Sequence, residues 1–155
     1  MISLAGSDSR GFSLFELILV LLLIGISTAI VLPNIERGME NREVRRAALG
    51  LAAAARDLRS RALLDGVPKQ IVLNLPENSY RAWPSAEVRL PADVKFVSVD
   101  GGEFLDRDHK RFYFFPNGSS MAGTIVLADS VRSISYLIRL ESLTGRVAVA
   151  PGDDS

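Results

Sequence analysis

Residues 11 to 33, reading GFSLFELILVLLLIGISTAIVLP, form one apolar stretch that carries a single carboxylate, Glu16, near its start. From Leu17 to Leu32 only Gly25, Ser27 and Thr28 interrupt the aliphatic run. As a helix, Phe12 to Leu32 would be about 31 Å long at 1.5 Å per residue, which matches a bilayer core of roughly 30 Å. Three readings compete: a retained transmembrane helix, a secretory signal with Ser27 and Ala29 before a cut, and a core helix of a soluble domain. The first is preferred, because a cleaved signal has an h-region of about 7 to 15 residues after a basic start, which this segment lacks. A plain anchor has no use for Glu16, since a carboxylate costs about 2.5 to 3.5 kcal/mol at mid-membrane and less near the edge. Such a residue requires a partner.

The rest of the chain limits what that partner serves. At 155 residues there is room for one ordinary domain plus an appendage. Basic and acidic residues balance at 18 each, so no global field favours nucleic acid or an anionic surface. With no cysteine, disulfides, thiolate zinc sites and thiol chemistry are excluded. Counting basic residues around the span gives Arg10 before it and Arg37, Arg42, Arg45 and Arg46 after it. That count would place the C-terminal part in the cytoplasm; the opposite orientation is expected from the motif below.

Periodicity divides the chain. Residues 1–11 are short, polar and without apolar period, and read as a leader; 12–33 is the transmembrane half of a helix. Pro33 lacks an N–H and should kink the helix, because helix formers resume at once. Residues 34–66 form an amphipathic half, with Val44, Ala47, Ala48, Leu51, Ala54, Ala55, Leu58 and Ala62 at three- and four-residue spacing. It should end near Asp65–Gly66, and its arginines, including Arg56, Arg59 and Arg61, read as a solvated face. Past Gly66 the period becomes 2: Ile71 to Leu75, Tyr80 to Trp83, Val94 to Val99, Arg111 to Phe115, Gly123 to Leu127, Ile134 to Leu140 and Val147 to Val149, separated by turn residues. With no helical segment between them, these strands predict an antiparallel sheet over 67–150, followed by an acidic tail, 151–155. The expected fold is α+β: a long N-terminal helix packed on a small antiparallel β-domain.

Gly11-Phe12-Ser13-Leu14-Phe15-Glu16, followed by the aliphatic helix and Pro33, resembles the class III leader of type IV pilins and type II secretion pseudopilins. The resemblance implies cleavage by a prepilin peptidase between Gly11 and Phe12 and N-methylation of Phe12. Counted from Phe12, Glu16 is fifth and Pro33 twenty-second, at the family's positions. The partner of Glu16 would then be the positively charged amine of Phe12 on a neighbouring subunit, which sets assembly register because an unpaired carboxylate is penalised in hydrocarbon. The alternative is the chain's own amine, about 6 Å along the helix. Gly25 and Ala29 form a small-xxx-small pair that would let helices approach.

The later segment Phe115-Pro116-Asn117-Gly118-Ser119-Ser120, then Ile125-Val126-Leu127, Ile134 and Gly145-Arg146-Val147, resembles the C-terminal pattern of the GspH/FimT family. Its members are minor pseudopilins of the type II secretion pseudopilus or minor type IV pilins. The leader, with only Arg10, departs from the short basic leaders usual there. The resemblance implies a single-pass inner-membrane protein with its C-terminal domain in the periplasm. Its partners would be the major and other minor pseudopilins, the prepilin peptidase and the inner-membrane secretion platform. The alternative, a FimT-like minor pilin in pilus priming or DNA uptake, would want a basic stripe, which Asp153-Asp154 and the mixed signs of the β-region do not supply. Asn117-Gly118 and Gly145 read as turns without chemistry. Asp100, Glu103, Asp106 and Asp108 lack EF-hand spacing, so no metal is expected, and no cofactor. His109 has no matching nucleophile, so no catalytic residue and no enzyme are expected.

Overall fold

The structure is a computed structural model that describes residues 14–129 and 134–152, with side chains at 29–41 left out of the description. Helix α1 runs Leu14–Asp65. Among the described residues nine strands follow: β1 Lys69–Asn74, β2 Ser79–Ala82, β3 Glu87–Arg89, β4 Val94–Gly101, β5 Glu103–Phe104, β6 His109–Phe114, β7 Gly123–Asp129, β8 Ser135–Leu140 and β9 Val147–Pro151. The chain divides between Gly38 and Met39 into two compact units.

In the second unit the helix presents the expected stripe. Val44, Ala48, Leu51, Ala55, Leu58 and Ala62 are buried, joined by Ala52, while Ala47 and Ala54 are half-buried at its margin. The helix ends where glycine allows it: Gly66 has φ +69°, and its N–H reaches the carbonyl of Ala62 at 3.1 Å. An L-residue would be strained there, which is why the turn closes on glycine.

The strands form two antiparallel sheets rather than the one expected, a five-stranded sheet in the order β3-β2-β1-β6-β5 and a four-stranded sheet in the order β4-β7-β8-β9. Period-2 alternation tells which face of a strand is buried but not which sheet the strand joins. Ile71, Leu73, Phe112 and Phe114 of the first sheet and Ile125, Leu127, Ile138 and Leu140 of the second share one core with the helix stripe. The strands β3 and β5, only three and two residues long, were outside the sequence expectation because so short a run has no readable period.

Three contacts tie the sheets together. The N–H of Met121 donates to the carbonyl of Tyr113 at 2.9 Å. Buried Lys110 of β6 donates to the carbonyls of Val99 and Gly101 at 2.6 and 3.2 Å, which satisfies an ammonium that burial would otherwise penalise. Asn78, at φ +48°, accepts from the N–H of Leu90 through its carbonyl and from the N–H of Phe96 through Oδ1, so the turn after β1 also holds β4.

Alanine sets the distance between helix and sheets. Ala55→Leu adds three carbons where the side chain is buried against the core. It should destabilise the full chain in detergent by about 1 to 3 kcal/mol, measured by chemical denaturation, whereas Ala53→Leu on the exposed face should change stability by less than about 0.5 kcal/mol.

Candidate assembly site

The described residues of the first unit belong to α1, and their described side chains, 14 to 28, are all exposed. Leu14 and Phe15 are 75% and 74% exposed, and Leu17 through Leu23 continue the apolar surface without a break. An apolar surface this continuous marks contact with lipid or protein. Within it, Thr28 donates its hydroxyl to the carbonyl of Ile24 at 2.7 Å, so its polar group is satisfied by its own helix. Gly25 has nothing within 4 Å of where a Cβ would stand. Ala29, its partner in the small-residue pair, lies outside the described side chains.

Glu16 stands in the first turn of α1 and is exposed. A carboxylate there is favoured by the helix dipole. Gly11 and Phe12, the residues expected at the cleavage site, and with them the amine expected to pair with Glu16, lie outside the described residues. Pro33 falls inside the helix span with its side chain undescribed, and the expected kink lies outside what is described. Among the described residues no helix is long and apolar enough to cross a membrane. The expected span at 12–33 extends beyond them at its N-terminal end, and its side chains are described only from 14 to 28.

The C-terminal pattern converges in the second unit. Arg59 Nε donates to the carbonyls of Gly118 and Thr144, each at 3.0 Å, and Arg56 donates to the carbonyl of Val147 through Nη2 at 2.9 Å. Gly145 has φ +58°, and a Cβ on it would lie 2.3 Å from the Gly118 carbonyl oxygen and 2.7 Å from Arg59 Nε. Gly118 has φ +84°. Ser120 joins the same cluster, its N–H donating to the carbonyl of Ser142 at 2.9 Å and its hydroxyl to that of Glu141 at 3.0 Å. Residues that read as two unrelated turns therefore meet around one arginine. Arg56 is exposed, as the solvated-face reading expects, and Arg59 is half-buried, but both also bond backbone carbonyls of the β-domain, which that reading did not include. Their i,i+3 spacing beside Ala55, Leu58 and Ala62 was the available signal, since that places both at the edge of the buried stripe.

Of the acidic loop, Asp106 Oδ1 accepts from the N–H groups of Asp108 and His109, each at 2.8 Å, and faces His109 Nδ1 at 2.9 Å. The backbone bond from Asp108 first, then His109, holds the Asp106 carboxyl below its ordinary pKa. Glu103 bonds Arg111 at 3.0 Å. Among the described residues no group of three or more potential ligands is placed to hold a metal ion.

The sequence matches the prokaryotic N-terminal methylation motif over residues 6–32. It is 25% identical over 143 residues to the type II secretion system protein H of Xanthomonas campestris pv. campestris, an alignment covering 92% of this chain and 83% of the relative. The fold is similar to that of the minor pseudopilin EpsH from the type 2 secretion system of Vibrio cholerae, with a TM-score of 0.58, 10% identity and coverage of 70% of this chain and 97% of the other. It is also similar to the type IV minor pilin FimU of Pseudomonas aeruginosa, with a TM-score of 0.53, 16% identity and coverage of 72% and 91%. Helix and sheets together make this a type IV pilin-like fold, preceded in the sequence by the methylation motif. Within that class, the motif, the protein H relative and the EpsH fold support a pseudopilin of the GspH type. These relatives are named as secretion and pilus proteins rather than enzymes.

Arg59→Met leaves two carbonyls to water and should lower stability by about 1 to 3 kcal/mol. Arg61→Met removes only a 2.8 Å pair with Asp57 in which both side chains are about half exposed; it should cost less than about 1 kcal/mol. Paired urea unfolding of the two variants checks the difference.

Proposed function

We propose that this chain is a minor pseudopilin of the type II secretion pseudopilus, helping to export folded proteins across the outer membrane. The observation that carries the reading is the methylation motif over residues 6–32 leading directly into a helix with an exposed apolar surface and one carboxylate in its first turn. Gly11–Phe12 is the bond cut by the prepilin peptidase, Phe12 the residue N-methylated, and Glu16 the group that sets register in the filament. Pro33 bends the helix between its membrane and periplasmic halves. The chain is held in the inner membrane by residues 12–33, with its C-terminal domain in the periplasm. Its partners are the major and other minor pseudopilins, the peptidase and the inner-membrane platform.

The role of Glu16 follows from desolvation. In hydrocarbon an unpaired carboxylate is unfavourable by a few kcal/mol, and a neighbour's Phe12 amine removes that penalty only when the two helices stand in one axial register. Glu16→Ala should leave leader removal intact and reduce recovery of the chain in sheared pseudopili several-fold, as read by immunoblot of the sheared and membrane fractions. Recovery equal to that of the unaltered chain would refute the role given to Glu16.

A further inference from the structure

The outer face of the five-stranded sheet, opposite Ile71 and Leu73, carries Gln70, Val72 and Asn74 on β1. Register brings Arg81 and Arg111 beside Val72, His109 beside Asn74, and Glu87 beside Arg81. Over this face lies a groove of about 360 Å³ whose lining includes Gln70, Asn74, Arg81, Glu87, His109 and Trp83. That volume is within the range of small-molecule sites, roughly 300 to 1,000 Å³.

Two properties of the groove select a ligand. Its one guanidinium and one carboxylate are matched to each other, Arg81 Nη2 lying 3.0 Å from Glu87 Oε2, and His109 Nδ1 is engaged by Asp106 Oδ1 at 2.9 Å. An incoming phosphate or ammonium finds no surplus charge of opposite sign there. The polar part of the lining is a mixture of amide, carboxylate, guanidinium and imidazole groups, which together both donate and accept, and Val72 and Leu105 add apolar surface between them. Ser79 donates to Glu87 Oε1, and this bond first, with Arg81, holds the Glu87 carboxyl below its usual range, so it remains an acceptor. Beside these polar groups Trp83 leaves its side chain 62% exposed, although tryptophan is among the residues most favoured by burial.

A flat aromatic surface beside paired donors and acceptors, without net charge, fits a neutral molecule with one apolar face and a rim of hydroxyls. We propose that the groove binds a neutral β-1,4-linked oligosaccharide, a flat ribbon with equatorial substituents. One sugar ring lies on the Trp83 indole, and its hydroxyls bond Gln70, Asn74 and the Arg81–Glu87 pair. The proposal is independent of the secretion role, because it rests on the outer sheet face alone.

Trp83 is the chain's one tryptophan, so its emission reports this groove directly. The full chain, in a detergent without a sugar headgroup, is titrated with chitotetraose and cellotetraose, and with maltotetraose as a coiled α-linked comparison. A saturable change with at least one β-1,4 tetrasaccharide and a weaker one with maltotetraose is expected. Calorimetry should show binding weakened about tenfold in Trp83→Ala, as expected for losing one ring contact, and also weakened in Asn74→Ala, with circular dichroism unchanged. No response to either β-1,4 sugar up to about 10 mM, well above the millimolar scale of weak binding, overturns the proposal. So does equal binding by Trp83→Ala, or a maltotetraose response as strong as the others.

Discussion

Everything in the β-domain is placed by the seating of an alanine-lined helix face on two sheets. Ala48, Ala52, Ala55 and Ala62 leave no side chain to hold the helix away, and Leu51 and Leu58 reach between them into a core built from both sheets. Packing a helix on sheets buries polar groups along with apolar ones, so the edges of the contact need donors. Arg56 and Arg59 provide them, reaching the carbonyls of Val147, Gly118 and Thr144. Gly118 and Gly145 are fixed by the same arrangement, because at Gly145 a Cβ would collide with both the Gly118 carbonyl and Arg59. The helix is thereby joined to the turns flanking β7, β8 and β9 by bonds as well as by packing.

Much of this was legible in the sequence. The change of period from 3.6 to 2 after Gly66 marks the end of the helix, and the helix does end at Asp65. The strand from Lys69 to Asn74 buries Ile71 and Leu73, the residues that alternation selects. What alternation could not give was partnership: nothing local in Val94–Gly101 says that it pairs with β7 rather than with β1. The contacts made by Arg59 were hidden for the same reason, since its acceptors lie 59 and 85 residues away in the chain. An arginine at the border of a buried stripe looks like a solvated one until the turn opposite is known. At the N-terminal end the motif is clear in the sequence, while Gly11 and Phe12, on which its chemistry falls, lie outside the described residues.

The two ends of the chain divide its work. The β-domain has a buried core of its own, with Trp83, Val97, Phe104 and Leu143 among the apolar residues left at its surface, whereas the helix from Leu14 to Ile26 exposes every large apolar side chain it carries. That surface, with a carboxylate in its first turn, is suited first to lipid and then to the apolar centre of a helical filament. Hydrophobic burial alone would let such helices slide past one another, because each turn offers the same aliphatic contact. In the role proposed for Glu16, a single charge that needs one amine gives them a register.

Under the cleavage proposed between Gly11 and Phe12 that amine exists only once residues 1–11 are removed, so the most direct measurement is the mass of the N-terminal peptide of the chain recovered from the membranes of a cell that has a prepilin peptidase. A peptide beginning at N-methyl-Phe12 is the predicted result. A peptide that retains residues 1–11 contradicts the reading, because Glu16 would then have no Phe12 amine with which to pair.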